Sequence, residues 1–277
     1  MSKSITIAKA IVAIIILVIV IFPLYWTLNY SFLPEKDTVT YPPTFFPRWP
    51  AHFTLEHYVI AVTKYPMLKA LFNSILIVGI ASIVTLMLSL PPAYVLAKLD
   101  FKMKDAIYYF IMALLAVPWV SYVIPLYRIA RFLGLIDTHL LLIMLYGFSG
   151  IPLFTWLAVP FIRSFPEDLI DVSRTFGLSE IKILFFIIIP ILKNAFIALF
   201  ILRFVWAYSD LLYQLIFTID QAKMAMPAVL EFPGQYEMPY GKMASGGILA
   251  VLPLLILTIM FHRYLISGIT EGMRVTD

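Results

Sequence analysis

Phe165 to Pro190, FPEDLIDVSRTFGLSEIKILFFIIIP, is a polar interruption in a chain that is otherwise compatible with hydrocarbon. Three acids, Glu167, Asp168 and Asp171, crowd its first turn and a half, whereas the whole chain is 62% hydrophobic and 13% charged. A segment this polar cannot lie inside a bilayer, so it belongs at or beyond a membrane face. It carries its own helix signals, with Pro166 at the start, acids in the first turn and Gly177 as a stop. A short structured helix held between membrane spans is suited to touching another protein.

Outward from this stretch the chain is apolar. A mean hydropathy of +0.95 over 277 residues excludes an ordinary soluble domain. Segments of roughly 20 apolar residues cross a bilayer core of about 30 Å. Six such segments are expected, near residues 5–32, 70–97, 106–127, 140–162, 187–211 and 245–265. The fold class is therefore all-α, a polytopic membrane protein with six transmembrane helices and the polar helix between spans four and five. The first span reads as a retained helix, because its apolar run exceeds a signal h-region and no A-x-A-like site follows. Residues 1–69 form an N-terminal span with a long external loop, and residues 70–277 a five-span core containing loop 165–190.

Basic residues orient the chain. With both termini cytoplasmic, eleven Lys and Arg face inward and eight outward, with Arg203 inside a span. Lys98, Lys102 and Lys104 in one short loop give the clearest vote. The pI near 9.1 reflects these loops and calls for no nucleic-acid partner. Between Leu33 and Lys69 the external loop is rich in Pro and aromatics (Pro42, Pro43, Phe45, Phe46, Pro47, Trp49, Pro50), which predicts irregular structure. Prolines 91, 92, 118, 125, 152 and 253 fall within spans. They either bend helices around a moving pathway or are the prolines common to membrane helices.

Enzymatic chemistry finds no motif. Cysteine is absent, which removes disulfides, iron–sulfur clusters and thiol catalysis. No G-x-x-x-x-G-K-[ST] loop or G-x-S-x-G elbow occurs. His52, His57, His139 and His262 show no metal-ligand spacing, and His52 and His57 are expected as surface residues of the external loop. No metal site is expected. Polar groups within spans carry more meaning, because burying them costs several kcal/mol. Arg203, Tyr208, Ser209, Asp210 and Gln214 cluster in the fifth span, with Arg203 and Asp210 two turns apart on one expected helix face. They form either a path for a hydroxyl-rich solute or an interhelical hydrogen-bond network. The aromatics Tyr25, Trp26, Tyr30, Trp119, Tyr122, Tyr127 and Trp156 read as interface anchors or packing.

The polar loop resembles the EAA loop of ATP-binding cassette (ABC) importer permeases. Asp171-Val172-Ser173 aligns with the E-A-A triplet, Gly177 with its glycine and Ile187-Ile188-Ile189-Pro190 with the apolar end of the motif. Asp171 shortens the glutamate, Val172 and Ser173 replace both alanines, and Phe176 stands where an acid often precedes the glycine. Phe204 to Ile216 is similar to the F-x-x-x-W-N-E-F-x-x-x-L-I signature of carbohydrate-type permeases, with Tyr208, Ser209 and Asp210 at W-N-E. Asn73-Ser74 matches the start of a second span. Arg263-Tyr264-Leu265, Gly268 and Gly272 resemble the tail of the second permease of maltose-type systems.

That resemblance implies the type I importer permease fold and a sugar or polyol cargo. It also implies a second permease as heterodimer partner, two ABC ATPases and an external solute-binding protein in a cell membrane. The chain itself would hold no cofactor, with ATP and Mg on the ATPase. Loop 165–190 would act as a coupling helix, with Glu167, Asp168, Asp171, Ser173, Arg174, Phe176, Gly177 and Leu178 at the contact and Ile181 adding apolar area. Arg203, Tyr208, Ser209, Asp210 and Gln214 would line the pathway. Glycerol phosphate, amino acids or peptides are alternative cargoes, although a single deep cation favours a neutral solute. An ion-driven transporter using Arg203 and Asp210 as a relay is the other reading.

Overall fold

The computed structural model describes residues 3–45, 52–232 and 239–273, with the backbone alone for residues 3–6, 8 and 265–273. Phe46, Pro47, Arg48, Trp49, Pro50 and Arg274 lie outside the described residues, as do the side chain of Leu265 and the surroundings of Gly268 and Gly272. Every regular element among the described residues is helical. Three helices are long and apolar enough to cross a membrane: α1 (Lys3–Phe32), α4 (Met67–Lys98) and α15 (Tyr240–Met273). Three bent pairs pass the same test, giving six spans if each pair is one. They are α5 (Lys104–Leu114) with the turn Trp119–Tyr122 and α6 (Val123–Phe132), α7 (His139–Ser149) with α8 (Ile151–Arg163), and a Glu180–Ile191 segment with α12 (Lys193–Ser209).

The breaks have local causes. Pro118 is extended at φ −62° and ψ 117°, which turns the first pair by 79°. Gly150 and Pro152 sit at the 46° bend of the second. In the third, Pro190 offers no N–H to the preceding turn and a π turn, Leu184–Ile188, precedes it; the pair bends by 88°. By contrast α4 and α15 run unbroken through Pro91, Pro92 and Pro253. Proline alone therefore does not decide where these helices break.

The chain forms two compact units. One comprises Met1–Leu71 and Ala225–Leu252. It corrects two expectations of the external segment. That segment is partly helical, with α2 (Glu35–Thr38) and α3 (Glu56–Thr63), because the Pro-rich run ends before Glu56 starts an acid-led helix. His57 is not a surface residue but is 3% exposed, donating its Nε2–H to the Leu33 carbonyl at 2.7 Å. His52 does reach the surface, where it pairs with Asp37 at 2.8 Å.

The other unit comprises Phe72–Met224 and Pro253–Asp277. Its core gathers Leu90, Tyr94, Phe154, Ile162, Phe165, Ile183, Leu184 and Leu199. Burying side chains of this size contributes roughly 1.5–3 kcal/mol each. Ile170, the inward residue of α9 (Glu167–Thr175), is fully buried in the same cluster and seats that amphipathic helix. At the opposite end of the sequence pattern, Asp137 accepts backbone N–H bonds from Ile219, Asp220, Gln221 and Ala222 at 2.9–3.1 Å. Asn73 continues this stitch, donating to the carbonyls of Gln221 and Lys223 at 2.9 Å and accepting from His139. The Asn73-Ser74 pair thus lies inside α4 and ties it to the 219–223 segment.

Candidate functional site

Two features of the second unit bear on function: a cavity wall around Arg203 and the exposed loop around α9.

Arg203 projects from α12 into a gap between α4 and α7. Its Nε donates to Thr85 Oγ1 at 3.1 Å, and its Nη2 donates to the Tyr146 carbonyl and to Ser149 Oγ, the latter at 3.2 Å. The guanidinium fork suits this array, because five donors lie in a rigid plane. Room for it exists only because residue 150 is glycine. A Cβ there would stand 2.7 Å from Arg203 Nε and 2.8 Å from Thr85 Cγ2. A residue that the sequence places alone in hydrocarbon is therefore satisfied by two neighbouring helices.

Asp210 corrects the expectation of a shared helix face. α12 ends at Ser209, and Asp210 is extended at ψ 122°, so two helical turns do not separate it from Arg203. Tyr146 joins the pair instead: its carbonyl accepts from Arg203, and its hydroxyl donates to Asp210 Oδ2 at 2.8 Å. Asp210 Oδ2 also accepts from the Tyr213 N–H in the first turn of α13 (Leu212–Phe217). The chain break is what frees this carboxylate to serve both elements.

Two cavities of about 780 and 420 Å³ share a wall of Trp119, Tyr122, Ser149, Arg203, Trp206 and Tyr213. The smaller one also touches Ser209, Asp210 and Tyr146. Of the five pathway residues expected from sequence, Arg203, Ser209 and Asp210 border it. Tyr208 and Gln214 do not; both are buried in packing, with Gln214 Nε2 donating to the Tyr208 carbonyl. Trp119, Tyr122, Trp206 and Tyr213 were not expected at a site. Their signal was the break itself: Pro118 and Asp210 each precede or end a helix where these rings gather.

The loop begins with Pro166 capping α9, and Glu167 and Asp168 complement the positive end of its helix dipole. It ends in a Schellman closure. Leu178 N–H reaches the Ser173 carbonyl at 3.2 Å and Gly177 N–H the Arg174 carbonyl at 2.9 Å, with Gly177 at φ +79°. Leu169, Val172 and Phe176 fall at i, i+3 and i+7 and are all exposed, Phe176 by 80%. Ile181 is exposed as well, whereas Leu178 packs against the core.

Not every expected contact faces outward. Ser173 is buried and donates its hydroxyl to the Leu169 carbonyl. Arg174 bonds within the chain, through Nε to Glu180 Oε1 at 2.9 Å, Nη2 to Glu180 Oε2 at 3.2 Å and Nη1 to Asp171 at 2.9 Å. Glu180, followed next by Asp171, pushes the Arg174 guanidinium further above its ordinary range, so its charge is fixed. Glu180 also accepts from the Tyr94 hydroxyl on α4. Lys98 donates to the carbonyls of Arg163 and Phe165 at 3.1 and 2.6 Å and lies 3.8 Å from Glu167. Sequence reading missed Tyr94, Lys98 and Glu180, whose partners lie as far as 86 residues away.

Comparison with known proteins agrees with this architecture. Residues 89–271 match the family described as binding-protein-dependent transport system inner membrane component. The chain is 30% identical to a sulfoquinovosyl glycerol transport system permease of Agrobacterium fabrum, over 95% of this chain and 92% of that protein. It is also 30% identical to a trehalose/maltose transport system permease of Thermococcus litoralis, over 94% and 93% of the two. A chain of a bacterial ABC transporter that imports the acidic polysaccharide alginate has the same fold, with a TM-score of 0.80 at 15% identity, covering 95% of this chain and 98% of that one. The chain belongs to the binding-protein-dependent transport inner-membrane family and is a multi-pass membrane protein.

Proposed function

We propose, starting from that membership, that this chain is the membrane-spanning permease subunit of an ABC importer for a sugar or related polyol. An external binding protein would deliver the solute, and a second permease would complete the channel as a heterodimer partner. Two separate ATPase subunits, holding ATP and Mg, would drive it through loop 165–190, with both termini and the loop on the cytoplasmic side. The chain itself carries out no hydrolysis on this reading.

The observation that carries the coupling role is the outward face of α9. Leu169, Val172 and Phe176 present apolar area beside the carboxylates of Glu167, Asp168 and Asp171, while Ile170 and Ser173 anchor the opposite face. A helix exposing apolar side chains beyond the spans needs a protein partner to cover them. ATP-driven closure of the ATPase pair would then displace a seated helix as a rigid body. The sugar assignment is supported by the cargoes of the two relatives and by a 420 Å³ cavity bordered by aromatic rings, Ser209 and Asp210. Aromatic faces cover the apolar side of a pyranose, while carboxylate and hydroxyl groups accept its O–H donors.

Purification of the tagged chain from its native membrane in mild detergent, with mass spectrometry of the retained proteins, tests this reading. Recovery of a second permease and an ATPase with a Walker A loop is the expected result. Recovery of the chain alone, from membranes whose other complexes stay intact through the same purification, would overturn it.

A further inference from the structure

The loop holds a set of ionic contacts, partly exposed, whose partners all lie within the chain. Glu180 sits between two elements. Its carboxylate takes a bidentate bond from Arg174 at the end of α9 and a hydroxyl bond from Tyr94 on α4. Arg174 extends the line to Asp171, one turn back along α9, at 2.9 Å. On the other side of the helix, Lys98, whose side chain is 4% exposed, ties the residues just before α9 to the end of α4 through two carbonyl bonds. Thus α9 is fastened to α4 at both ends, by Lys98 before it and by Glu180 after it.

Hydrophobic seating alone would not achieve this. Ile170 is the fully buried side chain of α9, and one apolar anchor leaves a nine-residue helix free to rock about it. A bidentate guanidinium–carboxylate pair fixes orientation as well as position, because the two parallel bonds define a plane. The turn at Gly177, open on the side where a Cβ would point, supplies the reversal that brings Glu180 back beneath Arg174.

We infer that Tyr94, Glu180, Arg174 and Asp171 form a clamp that locks α9 to α4, so that Glu180 is a positioning residue that makes displacement of the docked helix move the second span. The consequence for transport rests on the coupling reading above; the clamp itself does not. It assigns Arg174 and Asp171 to contacts within the chain, leaving Leu169, Val172, Phe176, Glu167 and Asp168 for the partner.

Full-length chain in lipid nanodiscs provides the test. Amide hydrogen exchange is followed in residues 167–177, with residues 193–209 of α12 reporting on global folding. Glu180→Gln and Arg174→Gln are expected to speed exchange in 167–177 at least tenfold while α12 stays within twofold. Exchanging the charges along the whole line, Arg174→Glu with Asp171→Lys and Glu180→Arg, is expected to return it to within threefold of the parent chain. Spin labels at exposed Leu169 and Met103 should give a narrow distance distribution that broadens in Glu180→Gln. Unchanged exchange in the single variants, or a fully charge-exchanged chain as loose as either single, would overturn the clamp. A parent chain that retains no ATPase, while 167–177 behaves as stated, would remove the coupling reading and leave the clamp standing.

Discussion

Arg203 and Asp210, placed on either side of the point where α12 ends, are joined by the two ends of a single residue: Tyr146 accepts from one through its carbonyl and donates to the other through its hydroxyl. The pair therefore never meets directly, and no Arg203–Asp210 ion pair occurs among the described residues. Removing the guanidinium leaves the buried Thr85 hydroxyl and Tyr146 carbonyl short of a donor, and frees the exposed Ser149. Arg203→Met is expected to destabilise the chain by roughly 2–4 kcal/mol, since each orphaned buried group costs about 1–3 kcal/mol and neighbours relax in part. Arg203→Lys keeps the charge but loses the fork, and is expected to fall between the two. Melting temperatures in detergent decide it; a Met variant that melts with the parent would show that the network contributes nothing to stability.

Gly150 tests the same junction from the backbone side. A methyl group there would lie 2.7 Å from Arg203 Nε and 2.9 Å from its Cζ. The guanidinium must move, and its three bonds with it. Gly150→Ala is expected to cost about 1–3 kcal/mol despite the better helix propensity of alanine. Combined with Arg203→Met, whose flexible side chain vacates that space, the alanine should cost less than it does alone. A double-mutant cycle with no coupling would place the two residues in separate environments.

The run lengths of apolar residues made the span positions readable, and the acids around Glu167 made α9 readable, because water and hydrocarbon impose both whatever the partner elements are. What hydropathy could not show was where a span breaks. Pro118 and Pro190 accompany sharp bends, yet Pro91 and Pro92 lie within an unbroken α4. The difference is not written in the prolines themselves, because each removes the same N–H from its helix. The site followed the same division. Arg203 was visible because a charge in a span is expensive, but Tyr146 and Trp119 had nothing in their local sequence to separate them from packing aromatics. Glu180 reads locally as the first acid of a helix, and its roles for Tyr94 and Arg174 emerge only when α4 is laid beside the loop.

Asp137 predicts a pH dependence. Burial alone would raise its carboxyl, but four backbone N–H donors from residues 219–222 together outweigh burial and hold it below the ordinary carboxylate range. A folded-state value below the unfolded one means that its contribution is complete above pH 4 or so and is lost as pH falls through the lower, folded value. Amides of residues 219–222, corrected for intrinsic exchange, should stay protected from neutral pH down to about pH 4 and open only under stronger acid. Asp137 occupies φ +62°, a conformation asparagine tolerates, so Asp137→Asn removes the charge without adding backbone strain. The asparagine keeps one acceptor oxygen and turns an NH2 toward the remaining donors, so that variant is expected to expose at least two of the four amides already at neutral pH. Equal protection in parent and variant would assign the closure to backbone contacts instead.

Gly177 separates backbone geometry from side-chain contact at the loop. It sits at φ +79°, and a Cβ added there would meet nothing within 4 Å. Any penalty for substitution is therefore conformational. Valine in this left-handed region costs at least about 1–2 kcal/mol, whereas asparagine costs less because its short polar side chain suits the conformation. Gly177→Val should relieve that strain by opening the Schellman closure, which would shift Leu178 and carry Glu180 away from Arg174. The expected result is loss of ATPase retention and of coupled transport in Gly177→Val, with Gly177→Asn close to the parent in both. Because a Cβ at this position meets nothing within 4 Å, a difference between the two variants points to the backbone angle. Normal retention and transport by Gly177→Val would show that α9 does not need this turn to present Leu169, Val172 and Phe176.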